Sequence, residues 1–195
     1  MKRIVVFGDS LSAGLWLKPS EAWPMVLADK LGEARLSYRI DNYSQSGGTT
    51  LTGLKRLGPH LKDKIDIFIL ELGVNDAISS TPQREIRQNL QEIIDRVKRA
   101  NPDVRMVICG VQLSTHSPNG YLARFSKIYV DLAARNNAAL VPDLLEAVLG
   151  NRQLNLFDRI HPNPAGQKIL VENVWRVLEP IAREVATERP AAHVQ

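Results

Sequence analysis

The sequence has very little cysteine and few aromatic residues. Cys109 is the only cysteine in 195 residues, so no internal disulfide can form, and the apolar run around it indicates a small buried side chain. Aromatic residues make up 6% of the chain, so the core must be mostly aliphatic. With 44% hydrophobic residues, the chain is expected to form one compact domain over 1–186, followed by a flexible tail over 187–195.

Long hydrophobic runs and blocks of like charge are absent too. No window reaches the length of a membrane span, and the first apolar stretch is shorter than the core of a signal peptide. We therefore expect no integral membrane association and a cytoplasmic protein, or a periplasmic one if a leader has been removed. The 25 basic and 21 acidic residues are interspersed, which argues against a nucleic-acid partner. Oligomeric state is left open.

Short apolar runs alternate with longer helical patterns along the chain. Strands are predicted at 3–8, 37–43, 66–72, 104–111 and 138–141, and helices at 20–34, 49–63, 82–100, 120–136 and 164–186. Thr81 is expected to cap the third of these helices, with Pro82 at its first position. The alternation predicts a parallel sheet with helices on both faces. In such sheets the active site lies beyond the carboxyl ends of the strands.

Polar and glycine residues follow each of the first three predicted strands. Gly8-Asp9-Ser10 ends the first, Ser46-Gly47-Gly48 lies in the loop after the second, and Gly73-Val74-Asn75-Asp76 ends the third. Asp158-Arg159-Ile160-His161 precedes the last helix. Each group taken singly is ordinary turn or capping chemistry. Brought together at one sheet edge, they supply every part that acyl transfer requires.

The candidate catalytic residues are Ser10, His161 and Asp158. A serine hydroxyl is a weak nucleophile until a base takes its proton, and His161 is the candidate base. Asp158 can hold the other imidazole nitrogen if the segment turns back on itself. The negative oxygen of the intermediate needs fixed donors, for which the candidates are the backbone N–H groups of Ser10 and Gly47 and the side-chain amide of Asn75.

The order serine, aspartate, histidine is also that of the α/β-hydrolases, but the nucleophile motif differs. Their motif is G-x-S-x-G, whereas Ser12 stands at the last position here and the nucleophile follows the first strand. Gly8-Asp9-Ser10-Leu11-Ser12 instead resembles the GDSL block of the SGNH hydrolases. The four residues that name that family are matched by Ser10, Gly47, Asn75 and His161, and the aspartate of its D-x-x-H block by Asp158.

Further segments resemble the bacterial thioesterase I, lysophospholipase and arylesterase branch of the SGNH family. They are Ser12-Ala13-Gly14, Ala22-Trp23-Pro24 and Glu71-Leu72-Gly73. The resemblance implies a flavodoxin-like three-layer α/β/α sandwich with a five-stranded parallel sheet, and no metal or other cofactor. It implies hydrolysis of small acyl esters, aryl esters, acyl-CoA or lysophospholipid through an acyl-serine. Val74 departs from the family's Gly-Gly-Asn-Asp block, which should matter little because the Asn side chain is the donor.

Two alternatives remain. A carbohydrate acetylesterase of the same family would share the machinery and differ only in its acyl pocket. The candidate substrate-binding residues are Leu11, Leu15, Trp16, Leu113 and Ser114. Their mainly apolar character favours acyl chains over sugars, unless the apolar ones only seal loops onto the core.

A non-catalytic flavodoxin-like module, such as a receiver using Asp9 and Asp76, is the remote alternative, because no lysine follows the fifth strand. We interpret Asp9 and Asp76 as structural acceptors and expect Glu71 to have a hydrogen-bond partner.

Overall fold

The fold is built on a five-stranded parallel sheet in the order β2-β1-β3-β4-β5. The computed structural model describes residues 1–113 and 120–188. The strands are β1 (Lys2–Gly8), β2 (Tyr38–Asn42), β3 (Ile67–Glu71), β4 (Arg105–Cys109) and β5 (Ala139–Val141). All five predicted strands are confirmed, each within two residues of its expected bounds.

The helices lie between the strands and after the last one. They are α1 (Ser10–Ala13), α2 (Trp23–Glu33), α3 (Thr50–Arg56), α4 (Val74–Ile78), α5 (Gln83–Ala100), α6 (Tyr121–Arg135) and α7 (Pro164–Thr187). The five predicted helices are present. The first and second strand connections also contain 3₁₀ turns, at Pro19–Glu21 before α2 and Gly58–Leu61 after α3, so both α-helices are shorter than predicted. The short helices α1 and α4 were not predicted.

Helices cover both faces of the sheet, as the apolar strands require. Along β1 the side chains alternate: Ile4 and Val6 belong to one core, and Val5 and Phe7 to the other. Buried side chains of α2 and α7 fill the first core, and those of α5 and α6 fill the second. This three-layer α/β/α arrangement is the predicted fold class, and it holds β1 inside the sheet between β2 and β3. Cys109 is a free, buried thiol in the first core.

The predicted start of α5 needs a correction. Thr81 does not cap this helix, because Pro82 is the N-cap residue and its extended ψ of 128° keeps it outside the helix, which begins at Gln83. Thr81 instead connects two neighbours: its N–H donates to the carbonyl of Asp76, and its own carbonyl accepts from Tyr121 Oη at 2.7 Å. The buried residues of α5 form one apolar stripe: Ile86, Leu90, Ile93, Ile94 and Val97.

The end of α7 lies one residue beyond the predicted domain boundary at 186, and most of the predicted tail lies outside the described residues.

Within 1–113 and 120–188, none of the helices combines the length and hydropathy needed to cross a bilayer.

Candidate active site

Ser10 is the first residue of α1, immediately beyond the carboxyl end of β1. The register of β1 with β3 places Gly8 opposite Glu71, so both strands end at the same edge. Asp9 caps α1 by accepting a hydrogen bond from the N–H of Leu11 at 3.0 Å. As the first helical residue, Ser10 keeps a backbone N–H with no partner inside the helix. Ser10 is 8% exposed, so the residue is almost fully buried.

A continuous set of hydrogen bonds joins Ser10, His161 and Asp158. Ser10 Oγ lies 2.8 Å from His161 Nε2, and His161 Nδ1 makes a short hydrogen bond to Asp158 Oδ2. The other oxygen, Asp158 Oδ1, accepts from the backbone N–H groups of Ile160 and His161, each at 3.1 Å. The structure thus brings together three candidate residues that are up to 151 positions apart.

The protonation state of Asp158 decides which imidazole nitrogen is free to act. Desolvation by burial raises the pKa of Asp158, but the hydrogen bonds from the His161 side chain and from two backbone N–H groups outweigh it, so its pKa lies below the usual range. An ionised carboxylate only accepts, so His161 Nδ1 must carry a proton. In neutral imidazole Nε2 is then the acceptor for the Ser10 hydroxyl, which is the tautomer that a general base requires.

The turn that carries Asp158 and His161 is anchored on both sides. The N–H of Leu156 donates to the carbonyl of His161 at 2.8 Å, and the N–H of Asn163 donates to the carbonyl of Leu154 at 2.9 Å. Asn163 then caps α7. The segment therefore turns back on itself, as the pairing of Asp158 with His161 requires.

The candidate oxyanion donors are linked through their neighbours. Asn75 Nδ2 donates to Asp9 Oδ2 at 3.1 Å and to the carbonyl of Gly48 at 2.9 Å. Because Asp9 precedes Ser10 and Gly48 follows Gly47, these two bonds connect Asn75 to the segments that carry the other two candidate donors. Gly47 has φ +75°, which favours glycine. A Cβ there would meet nothing within 4 Å, so the requirement is one of backbone conformation rather than of space within the protein.

Two buried carboxyl groups lie beneath the nucleophile. The Asp9 N–H donates to Glu71 Oε2 at 3.2 Å, and Ser12 Oγ donates to the same oxygen at 2.7 Å. Burial raises the pKa of Asp9 to about 6, and burial together with the charge of Asp9 holds the pKa of Glu71 well above its ordinary value. The expected hydrogen-bond partners of Glu71 are therefore present. Gly8 has to be glycine here, because its Cβ would lie 2.5 Å from Glu71 Oε2.

Asp76 joins two elements near the site. Its carboxylate accepts from the N–H of Thr50 at 2.8 Å and from Thr50 Oγ1 at 2.6 Å, which fixes the start of α3 against α4. Both Asp9 and Asp76 thus act as acceptors that hold loops, as expected.

Arg56 was not among the candidate residues, yet its guanidinium connects the ends of two strands. Nη2 donates to the carbonyl of Gly8 at 2.8 Å, Nη1 donates to the carbonyl of Tyr43, and the group lies 3.9 Å from the centroid of the Phe7 ring. No periodicity or motif marks this arginine, because its role depends on the parallel pairing of β1 with β2.

The candidate substrate-binding residues do not all lie in a position to bind substrate. Leu11 is 2% exposed and packs in the core, because the first turn of α1 directs this side chain inward, so the structure does not support its assignment to substrate binding, which stays a prediction. Leu15 and Leu113 are half-buried, and Leu113 packs against both cores. Trp16 is exposed, with its ring centroid 5.5 Å from that of His161. Ser114 lies outside the described residues.

Histidine, aspartate and serine joined by hydrogen bonds at the carboxyl edge of a parallel sheet define the class of hydrolases that act through an activated serine. Residues 6–169 match the GDSL-like lipase/acylhydrolase family, and the chain belongs to this family.

Several relatives of known name are similar over most of the chain. Esterase TesA of Pseudomonas aeruginosa is 35% identical over 179 residues, which cover 91% of this chain and 88% of the relative. An arylesterase of Vibrio mimicus and thioesterase 1/protease 1/lysophospholipase L1 of Escherichia coli are each 34% identical over the same share of this chain, covering 88% and 84% of the relatives. A crystal structure of TesA superposes with a TM-score of 0.87, covering 92% of this chain and 99% of the other.

Proposed function

We propose that this chain hydrolyses carboxylic esters and thioesters through an acyl-enzyme formed on Ser10. The observation that carries the proposal is the continuous hydrogen bonding from Ser10 Oγ through His161 to Asp158. A serine alone at this edge would be an ordinary helix residue. Paired at 2.8 Å with an imidazole whose other nitrogen is held by a carboxylate, it has the arrangement that makes a hydroxyl nucleophilic.

In the first half of the reaction, Ser10 Oγ attacks the carbonyl carbon and its proton passes to His161 Nε2. The carbonyl oxygen becomes an oxyanion, for which the proposed donors are the N–H groups of Ser10 and Gly47 and the amide of Asn75. The C–O or C–S bond of the substrate then breaks, and His161 returns the proton to the leaving group. Asp158 stabilises the imidazolium formed between these two transfers without itself taking the proton.

In the second half, water replaces the leaving group. It gives its proton to His161 Nε2 as its oxygen attacks the acyl carbon, and the bond to Ser10 Oγ breaks as the serine regains its hydrogen. The products are a carboxylic acid and the free enzyme. No group beyond the residues already described is needed for the balance of atoms.

We assign the substrate to small-molecule acyl esters and thioesters, which include aryl esters, lysophospholipid and acyl-CoA. Relatives above 30% identity with names of this kind support that range. Half-buried Leu15 and Leu113 offer apolar surface for an acyl chain. The carbohydrate acetylesterase alternative is not favoured, because the relatives named above are an esterase, an arylesterase and a thioesterase.

The test is hydrolysis of aryl esters with acyl chains from acetyl upward, by wild type and Ser10→Ala in parallel. We expect Ser10→Ala to lower kcat by roughly 10⁶ if serine and histidine act as a unit. Ser20→Ala, an exposed serine in the 3₁₀ turn before α2, is the matched control and should be unchanged. An alkylphosphonate aryl ester should react with Ser10 of the wild type: Ser10 Oγ attacks phosphorus, the phenol leaves with the hydroxyl proton, and the mass of the protein rises by that of the phosphonyl group that replaces the hydrogen. Turnover that survives in Ser10→Ala would refute the proposal.

A further inference from the structure

Two exposed aromatic rings lie beside the candidate base. Trp16 is 59% exposed and Phe157 is 81% exposed, and their ring centroids are 4.8 Å apart. The Trp16 centroid also lies 5.5 Å from that of His161, with the two rings inclined at 74°. Phe157 directly precedes Asp158. We call Trp16 and Phe157 the aromatic pair. It joins the turn after α1 to the turn that carries the other two candidate catalytic residues.

The backbone of Trp16 points to a constraint other than packing. Its φ is +63°, in the left-handed region that bulky residues rarely occupy. Such conformations persist where the surrounding structure over-determines them, and they concentrate at ligand sites. Here the flanking turn is closed by hydrogen bonds from the N–H of Leu15 to the carbonyl of Ser10 and from the N–H of Leu17 to that of Gly14. The strained residue therefore sets a large ring beside His161 while most of that ring stays in solvent.

The reaction proposed above assigns a side to each part of the substrate. The oxyanion belongs with Asn75 and Gly47, on the side of β2 and β3. The leaving group must lie at His161 Nε2, because that nitrogen delivers its proton. Trp16 contacts His161 and Phe157 packs on Trp16, so the aromatic pair borders the position of the leaving group rather than that of the acyl chain.

We propose that the aromatic pair is a subsite for an apolar or aromatic leaving alcohol, and that it sets the enzyme's choice of leaving group. This inference rests on the proposed function and extends it. It moves Trp16 from the acyl pocket, where the sequence placed it, to the opposite side of the reacting carbon. The occupant is the alcohol of the substrate, since two exposed rings at this spacing can stack with or border a third apolar group.

The same subsite should act in the reverse direction on the acyl-enzyme. An added alcohol attacks the acyl carbon, gives its hydroxyl proton to His161 Nε2, and forms an ester as the bond to Ser10 Oγ breaks and the serine regains a proton. Water and alcohol compete for one acyl-enzyme. The ratio of ester to acid formed therefore reports binding of the alcohol separately from formation of the acyl-enzyme.

The experiment compares wild type with Trp16→Ala, Trp16→Phe and Phe157→Ala on benzyl acetate and ethyl acetate, which share an acyl group. We expect Trp16→Ala to lose roughly tenfold in kcat/KM for benzyl acetate relative to ethyl acetate, with Phe157→Ala in the same direction and Trp16→Phe largely retaining the preference. With an activated acetyl ester and added benzyl alcohol, the yield of benzyl acetate relative to acetate should fall in both alanine variants. Val130→Ala, an exposed apolar residue of α6, is the control.

Other outcomes would overturn the subsite. An equal loss on both esters would make Trp16 a positioning residue for His161. If the variants are also run on the aryl esters of increasing acyl length, a loss that follows acyl length and is the same for benzyl and ethyl acetate would return Trp16 to the acyl pocket. Unchanged ratios would leave the pair without a role in selection. Phe157→Ala is expected to fold even if Trp16→Ala does not, because a side chain this exposed contributes little to the core. If wild-type Ser10 takes up phosphonate and the ratios still do not move, the subsite alone fails. If Ser10 takes up none, the proposed function fails and the subsite with it.

Discussion

At the scale of single residues, Asn75 is the candidate whose bonding bears most directly on its role. An amide nitrogen has two hydrogens, and those of Asn75 point to Asp9 Oδ2 and to the carbonyl of Gly48. Both acceptors adjoin other candidate residues. An oxyanion bound by Asn75 must therefore share or replace the bond to Gly48, while the bond to Asp9 keeps the amide aimed. Asp9 is in this sense a positioning residue for Asn75.

We expect Asn75→Ala to lower kcat on the order of 10²–10³, as loss of one oxyanion donor does elsewhere. Asn75→Asp should be worse, because it sets a second carboxylate against Asp9 and against the oxyanion. The measurement is kcat and KM on one activated ester, with circular dichroism to show that each variant is folded. Full activity of Asn75→Ala would remove the residue from the oxyanion site, and a change confined to KM would place it in substrate binding.

At the scale of elements, the sequence predicted the five strands and the long helices and missed the two shortest helices. The five strands and the long helices carry enough apolar residues for their period to show. Helices α1 and α4 have four and five residues, too few to display a period. They exist because of local contacts instead: Asp9 caps α1, and α4 follows Gly73, whose φ of +125° turns the chain sharply after β3.

Candidate site residues were predictable where topology alone brings them together. The carboxyl ends of β1 and β3 share an edge in any parallel sheet, so Ser10 and Asn75 could be paired from their positions. Phe157 could not, because its partner Trp16 lies in another loop and no repeat or motif connects the two. Two apolar residues directly before Asp158, Leu156 and Phe157, were the one available signal.

The N-terminus of α7 is the element on which the base depends. Asn163 Oδ1 accepts from the N–H groups of Ala165 and Gly166 at 3.0 and 3.1 Å, and its Nδ2 donates to the carbonyl of Gln153 at 2.9 Å. The Asn163 side chain thus caps the helix and holds the loop that precedes it. This residue lies two positions after His161.

Asn163→Ala should lower the free energy of unfolding by about 1–2 kcal/mol and reduce kcat. The reason is that the side-chain cap of α7 and the side-chain hydrogen bond to the loop before it are both lost. Asn163→Asp keeps the acceptor of the cap and loses the donor to the loop. It should therefore recover most of the stability and less of the activity. Chemical denaturation paired with kcat on one ester separates the two effects. Equal recovery of both by Asn163→Asp would show that only the cap matters.

At the scale of the whole molecule, the buried carboxyl groups beneath the sheet edge tie stability to pH. Asp9 and Glu71 are each 1% exposed, and their pKa values are raised mainly by burial. A raised carboxyl pKa means that the folded state keeps a proton which the unfolded chain has already lost. The contribution to stability is therefore complete below the unfolded pKa of Asp9, near 4, and is lost as pH rises through its folded pKa of about 6. For Glu71 the loss continues at higher pH.

Glu71→Gln should remove this penalty while keeping the contacts. A glutamine oxygen can accept from the Asp9 N–H and Ser12 Oγ, and the amide is neutral at every pH. We expect its melting temperature to exceed that of wild type near pH 8, with the advantage shrinking as pH falls towards the ordinary pKa of a glutamate, because the unfolded wild-type chain then also holds this proton. Exposed Glu33→Gln controls for the change in net charge, and Glu71→Ala, which leaves both donors unpaired, should be less stable throughout. A Glu71→Gln curve parallel to wild type would mean that folding does not change the pKa of Glu71, and the dependence on pH would then have to come from Asp9 alone.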